Sequence, residues 1–356
     1  MPNHFLAAGV YGCVYFPGYT CKGESMKKKW VSKLTYQNEK TTAEIEIGHL
    51  LKKVPHYDDH FVLVERSCPI AYKALSEMKE GCDLIKKNKS YVLLYSKFVS
   101  SMELYEYLQK EILFTRVLRC FFQICKSISM LIDQKIVHHD LHFSNMLYSS
   151  VSSNILIIDF GLSINTQHFN KVEYLKEVFS RYMPEWNWYA LEIHILSYMI
   201  QHGTLTEKVV HHAIDTYLEQ HVVFSLFPEV RTQFKKEAET FFLPLVQWTQ
   251  EEAIEYLLTF WKTWDYYEIG LRFLYLYADN QVDYPSYLEH LLTLIQANPE
   301  KRPNVLQIRN SQNKVIQLFD MSHAKSAYSS IDQQVITQSL ENTIEKQGNR
   351  VPFIPK

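Results

Sequence analysis

The sequence predicts an α+β chain in two lobes: a small antiparallel sheet over residues 1–96, then a mainly helical lobe over 97–356 that carries a helical insertion at 187–262. Three observations lead there. Short runs of alternating or apolar residues, rich in Val, Ile, Tyr and Phe, fall in the first 96 residues. A long apolar-rich helical pattern then fills Glu111 to Gln134. Beyond it, charge is mixed with apolar residues at helical spacing, and no internal repeat, low-complexity tract or Pro/Gly/Ser linker separates independently folding parts.

At 356 residues the chain exceeds one average domain and is long enough to bury a sizeable core. Its 37 Lys and Arg balance 39 Asp and Glu to a net charge of −2, so no strong field supports a nucleic-acid or anionic-membrane partner. The six cysteines contain no CxxC pair and read as reduced thiols of a cytosolic protein. No apolar run reaches the roughly 18 residues of a membrane-spanning helix, and no charged region followed by an apolar core opens the chain. A soluble, cytoplasmic protein is the expectation.

In chain order, Phe5 to Phe16 reads as strand, turn and strand, with Gly9 and Gly12 in the turn. Glycines there let backbone amides approach a phosphate with no β-carbon in the way, although most such turns are only turns. Lys27 to Lys29 read as a solvated hairpin end, and Trp30 to Leu34 alternates as a strand holding Lys33 in an apolar setting. Asn38 to Val54 is a helix with Ile45, Ile47, Leu50, Leu51 and Val54 on its apolar face. Glu44 lies on the inward stripe, with Ile47 and Leu51 three and seven positions on, whereas Glu46 leads to His49 and Lys53 on a solvent face. Phe61–Val64 and Tyr91–Tyr95 are the strands that complete the sheet, joined by an enlarged connection.

After the Glu111–Gln134 helix comes Ile136 to Leu147, containing His138-His139-Asp140-Leu141-His142 and Asn145, and then the apolar strand Ile155–Ile158 ending in Asp159-Phe160-Gly161. Phosphoryl transfer with bound magnesium needs such groups: a carboxylate to orient an attacking hydroxyl and accept its proton, and hard oxygen donors for Mg²⁺. Asp140 suits the first role, Asn145 and Asp159 the second. The three histidines invite a metal reading, but the loop between helix and strand is irregular, so a spacing of four puts His138 and His142 on no shared face.

The pattern H-x-D-L-x-x-x-N followed by D-F-G resembles the catalytic and metal-binding loops of the protein kinase family. The resemblance implies a bilobal kinase-like fold with one active site between the lobes, ATP and Mg²⁺ as cofactors, and protein substrates with Ser or Thr acceptors. Leu6 to Val14 is similar to the kinase glycine-rich loop, with Tyr11 at its tip, Val14 trailing and Ala7 in place of the first glycine. By the same resemblance Lys33 clamps the ATP phosphates and is held by Glu44, Ser96–Val99 including Phe98 is the hinge that meets adenine, and Glu103 lies near the ribose. His138 becomes a structural residue beneath the loop. His139 replaces the arginine that pairs with a phosphorylated activation segment, and a neutral imidazole cannot make that bidentate contact, which implies activity without such phosphorylation. His142 replaces the lysine that touches the transferred phosphate, and D-L-H-x-x-N also resembles small-molecule phosphotransferases of the same fold. A catalytically silent scaffold is the remaining alternative, motivated by Ala7 and the insertion.

Further on, Met183-Pro184-Glu185 resembles the A-P-E that closes the activation segment, with Arg302 of Asn298–Pro303 as the expected partner of Glu185. Two segments compete to open the central helix, Asn187–Glu192 and Asp265–Gly270; the second has both the acid and the glycine, which places that helix at Trp264 to Tyr277. Thr206–Gln220, Thr232–Phe242 and Glu251–Trp261 are the helices expected in the insertion, and residues 305–356 a closing helix and polar extension. The insertion and the early Gly-Val-Tyr-Gly-Cys-Val-Tyr are similar to the divergent Ser/Thr kinases of large nucleocytoplasmic DNA viruses, which implies the host cytoplasm or the virion as location.

Overall fold

Residues 4–9, 12–78, 81–110, 114–279 and 284–328 are described in a computed structural model of the chain. Its antiparallel-sheet N-terminal region and helical remainder are those of a bilobal kinase-like α+β fold. The described chain forms two compact units, one from Met1–Tyr107 with Phe143–Ile164, the other from Leu108–His142 with Asn165–Lys356. The first therefore extends past the expected boundary at residue 96. Strand β6 (Ser101–Glu103) pairs with Met146–Ser149, which pairs with Ile155–Ile157, and this ladder ties the residues after 96 and after 142 to that unit.

In the first unit, β1 (His4–Gly9), β2 (Gly12–Phe16), β3 (Trp30–Tyr36), β4 (Arg66–Ile70) and β5 (Tyr91–Lys97) form one antiparallel sheet ordered β1-β2-β3-β5-β4. Side chains along a strand alternate between faces. Tyr91, Leu93 and Tyr95 accordingly join Cys13, Tyr15, Leu34 and Ile70 in a core on one face. Val92 and Leu94 pack on the other with Val64 and with Ile45 of helix α1 (Glu39–Leu51). Asn38 caps α1 by accepting the Thr41 N–H at 3.0 Å.

Two expectations fail in this unit. Phe61–Val64 is not a strand: His60 and Val62 bond Ile157 instead, so the segment runs beside the small ladder, and β4 begins at Arg66. Nor are all cysteines reduced. Cys13 is joined to Cys82 and Cys21 to Cys68, because the sheet register and the long β4–β5 connection bring each pair to Cα separations of 5.9 and 6.0 Å. Cys120 and Cys125 are free and buried, and burial pushes the Cys120 thiol up to about 12. The reduced-thiol argument for a cytosolic setting lapses with the two bonds.

Helix α2 (Leu104–Lys110) comes directly after β6, and α3 (Phe114–Asp133) is the first long helix of the second unit. There α4 (Val172–Val178), α5 (Leu191–His202), α6 (Glu207–Glu219), α7 (Val222–Leu226), α8 (Pro228–Phe242) and α9 (Gln250–Leu258) lead to α10 (Trp264–Asp279), α11 (Pro285–Leu294) and α12 (Val305–Tyr328). Helix α10 is buried from Trp264 to Leu276, the mark of a helix enclosed on all sides. Phe121 of α3 meets Phe273 of α10 and Tyr287 of α11 edge-on, with ring centroids 5.0 and 5.6 Å apart. Tyr217 of α6 anchors the insertion, bonding Tyr267 Oη at 2.6 Å and the Tyr189 carbonyl at 2.9 Å. The Glu111 end of the third helix, the Tyr11 tip of the glycine turn and the polar extension after 328 lie outside the described residues. No helix among those described is long and apolar enough to cross a membrane.

Candidate active site

In the first unit, β-sheet register puts Lys33 beside the glycine turn. Val14 and Leu94 flank it on β2 and β5 and so share its face of the sheet. Helix α1 lies against that face and presents Glu44, which is 8% exposed, whereas Glu46 is turned to solvent. Lys33 Nζ lies 3.3 and 3.2 Å from the two Glu44 oxygens and 2.6 Å from Asp159 Oδ1. Burial opposes the charge of Lys33, but the two carboxylates outweigh it and hold its pKa above the ordinary lysine value. Burial raises Glu44, with Lys33 pulling against it.

Asp159 is aimed by its neighbours. Phe160 is buried edge-on to Phe61, with ring centroids 5.8 Å apart, and the Gly161 N–H donates to Asp159 Oδ1 at 3.3 Å. Asp159 has φ 62°, and His139 shares that value. Such left-handed backbone at a residue with a side chain costs about 1–3 kcal/mol and persists where the surroundings impose it. Asn145 is buried, and its carbonyl accepts the Ile158 N–H at 2.9 Å, which ties it to the strand end that carries Asp159. A carboxylate and a carboxamide are the hard oxygen donors that Mg²⁺ takes. Among the described residues no three His, Cys, Asp or Glu form a metal cage. Carboxylate and carboxamide donors suit an ion whose remaining ligands are phosphate and water.

The remaining predicted residues of this unit are placed unequally. A Cβ on Gly12 would stand 2.9 Å from Lys33 Cγ and 3.1 Å from the Leu34 carbonyl, whereas one on Gly9 would meet nothing within 4 Å. Gly12→Ala is therefore expected to displace Lys33 and cost about 1–3 kcal/mol of stability through overpacking, with Gly9→Ala leaving thermal stability unchanged; a melting curve on each variant checks this. Phe98 stacks on Phe16 at 3.8 Å, but its N–H is already given to the Lys29 carbonyl at 3.0 Å. That N–H is thus committed within the protein. Glu103 ends β6 in an exposed position, opposite Leu147.

In the second unit the stretch from His138 to Leu141 rests on α10. Asp265 accepts the N–H groups of His138 and His139 at 2.8 and 3.0 Å, and Glu268 accepts that of Leu141 at 3.0 Å. Asn187, the competing start of the central helix, is instead in a turn and donates to the Tyr217 carbonyl. His138 is fully buried, as a structural residue would be. His139 stacks on Tyr189 at 4.2 Å, and burial pushes its pKa down to about 3, so it is neutral. His142 Nε2 lies 3.6 Å from Asp140 Oδ2, beside the group the sequence marks as the base.

Burial pushes Asp265 up to about 7 from an ordinary 3.8, against the pull of its two N–H donors. A carboxyl raised on folding binds its proton more readily in the folded state, so stability is fullest below pH 4 and is lost as pH rises to about 7. The loss attributable to this group is on the order of 4 kcal/mol. Urea midpoints at pH 5 and 8 are expected to differ less in Asp265→Asn than in the wild type.

Arg302 departs from expectation. Its partner is Glu192 at the start of α5, at 2.5 and 3.0 Å, and not Glu185, which is exposed. Ala190-Leu191-Glu192 carries the same A-x-E spacing as A-P-E, the signal that would have found it. Glu268 and its partner Arg272 carried no sequence motif.

The family described as protein tyrosine and serine/threonine kinase matches residues 6–208. No curated protein shows significant sequence similarity to the chain.

Proposed function

The chain belongs to that protein kinase family, and on this premise we propose that it transfers the γ-phosphate of ATP to serine or threonine hydroxyls of protein substrates. The observation that carries the proposal is the Lys33, Glu44 and Asp159 cluster. Buried ions are costly to desolvate, and a scaffold of the same shape is served as well by apolar side chains. A lysine held between two carboxylates is suited to exchange one of them for a phosphate.

Bound Mg²⁺ would neutralise charge on the ATP phosphates, with Asn145 and Asp159 as its protein ligands. Lys33 steadies the phosphates while Glu44 fixes the lysine. Gly9 and Gly12 are assigned to the phosphates by resemblance, and Val14 lies on the Lys33 face of the sheet. Phe98 and Glu103 are assigned to the nucleotide's adenine and ribose by resemblance. Asp140 orients the acceptor hydroxyl and takes its proton. The preference for Ser and Thr rests on the likeness of the loop to kinases of that specificity.

A second acceptor class is favoured by His142, whose imidazole replaces a lysine next to Asp140. Incubation with labelled ATP, Mg²⁺ and either generic protein acceptors or aminoglycoside- and choline-like molecules separates the two. Label in protein Ser or Thr supports the proposal; label confined to the small molecules overturns it.

A further inference from the structure

Three of the N–H groups between His138 and Leu141 end on two carboxylates of one helix. Asp265 takes the pair before Asp140, and Glu268, one turn further along α10, takes the one after it. The backbone is thus anchored at the Val137–His138 and His138–His139 peptides before Asp140 and at the Asp140–Leu141 peptide after it. Glu268 is 3% exposed, and its other oxygen accepts from Arg272 Nη2 at 3.1 Å. Arg272 is itself buried, with its guanidinium 4.4 Å from the centroid of the Trp188 ring. Stability does not explain the arrangement, because a buried ion pair is commonly no better than apolar side chains of equal volume. What apolar side chains could not do is accept the Leu141 N–H.

We propose that Glu268 is a positioning residue for phosphoryl transfer: its carboxylate fixes the peptide between Asp140 and Leu141 and so sets the direction of the Asp140 side chain, while Arg272 holds that carboxylate in place. The proposal rests on the reading of Asp140 as the base. It assigns Glu268 no contact with substrate or nucleotide.

Removing Glu268 alone would strand the buried Arg272 charge and destabilise the chain for an unrelated reason. The test therefore compares two double variants of the full chain, E268M/R272M and E268Q/R272M. Both discard the ion pair, but only the glutamine keeps an oxygen for the Leu141 N–H. In E268M/R272M, kcat is expected to fall about ten- to hundredfold, the range set by losing a hydrogen bond to a charged group, with KM for ATP within about twofold of wild type. Hydrogen exchange at the Leu141 amide is expected to accelerate in the same variant. In E268Q/R272M, both the exchange protection and most of kcat are expected to return.

Equal kcat in the two double variants, or wild-type kcat in E268M/R272M, would overturn the role of Glu268 and leave the base assignment standing. A wild-type protein with no transferase activity would overturn the base assignment, and the positioning role with it.

Discussion

Exchanging Asp140 for asparagine is expected to lower kcat by roughly 10²- to 10⁴-fold, the usual contribution of a positioned acid or base, while KM for ATP changes little. The reason lies in which groups each substitution disturbs. Asp140 sits on a loop held by Asp265 and Glu268, whereas the lysine proposed to grip phosphate is held by Glu44 and Asp159. Asp159→Ala strikes the second set: it removes a proposed Mg²⁺ ligand and one of the two carboxylates on Lys33. Transfer should vanish and Mg²⁺-ATP binding weaken sharply in that variant. Titration calorimetry with Mg²⁺-ATP alongside kinetics makes the comparison. An equal loss of turnover and affinity in Asp140→Asn would remove the base from the proposal, and unchanged turnover in Asp159→Ala would remove the metal assignment.

The second large effect is structural. Glu192→Gln is expected to cost about 3–5 kcal/mol, the usual penalty for leaving one member of a buried ion pair without its counterion. Arg302 and Glu192 have side chains 1% and 0% exposed. Around them Trp264 donates to Glu192 at 3.1 Å, Arg302 donates to the Gln296 carbonyl at 2.8 Å, and the guanidinium lies 4.5 Å from the Tyr267 ring centroid. One substitution thus disturbs α5, α10 and the approach to α12 together. Urea unfolding should show a lower midpoint at unchanged slope. Glu185→Gln, at the exposed position first expected to pair with Arg302, should stay within about 0.5 kcal/mol of wild type.

Local pattern carried much of this. The order of strands and helices was legible from alternation and helical spacing, and Asp140, Asn145 and Asp159 stood out because their chemistry demands particular side chains at particular separations, whereas Lys33 and Glu44 were marked by the resemblance to kinases. Glu44 was separable from Glu46 by periodicity alone, since a helix face is a property of spacing. Phe61–Val64 misled because a short apolar run looks alike whether it pairs in a sheet or lines a core. Glu185 misled because Pro-Glu is a local resemblance, and burial, which selects Glu192, is not written locally.

By itself, then, the sequence determined the kinase-like class of the chain and marked the groups proposed to handle phosphate, because those depend on residue type and spacing. Tertiary structure alone decided the partners: Cys13 with Cys82, Cys21 with Cys68, Glu192 with Arg302, and Leu141 with Glu268. Each joins residues tens of positions or more apart. A charge, a thiol or an N–H takes whatever complementary group packing brings within a few ångströms, and that choice is made only once the chain has folded around it.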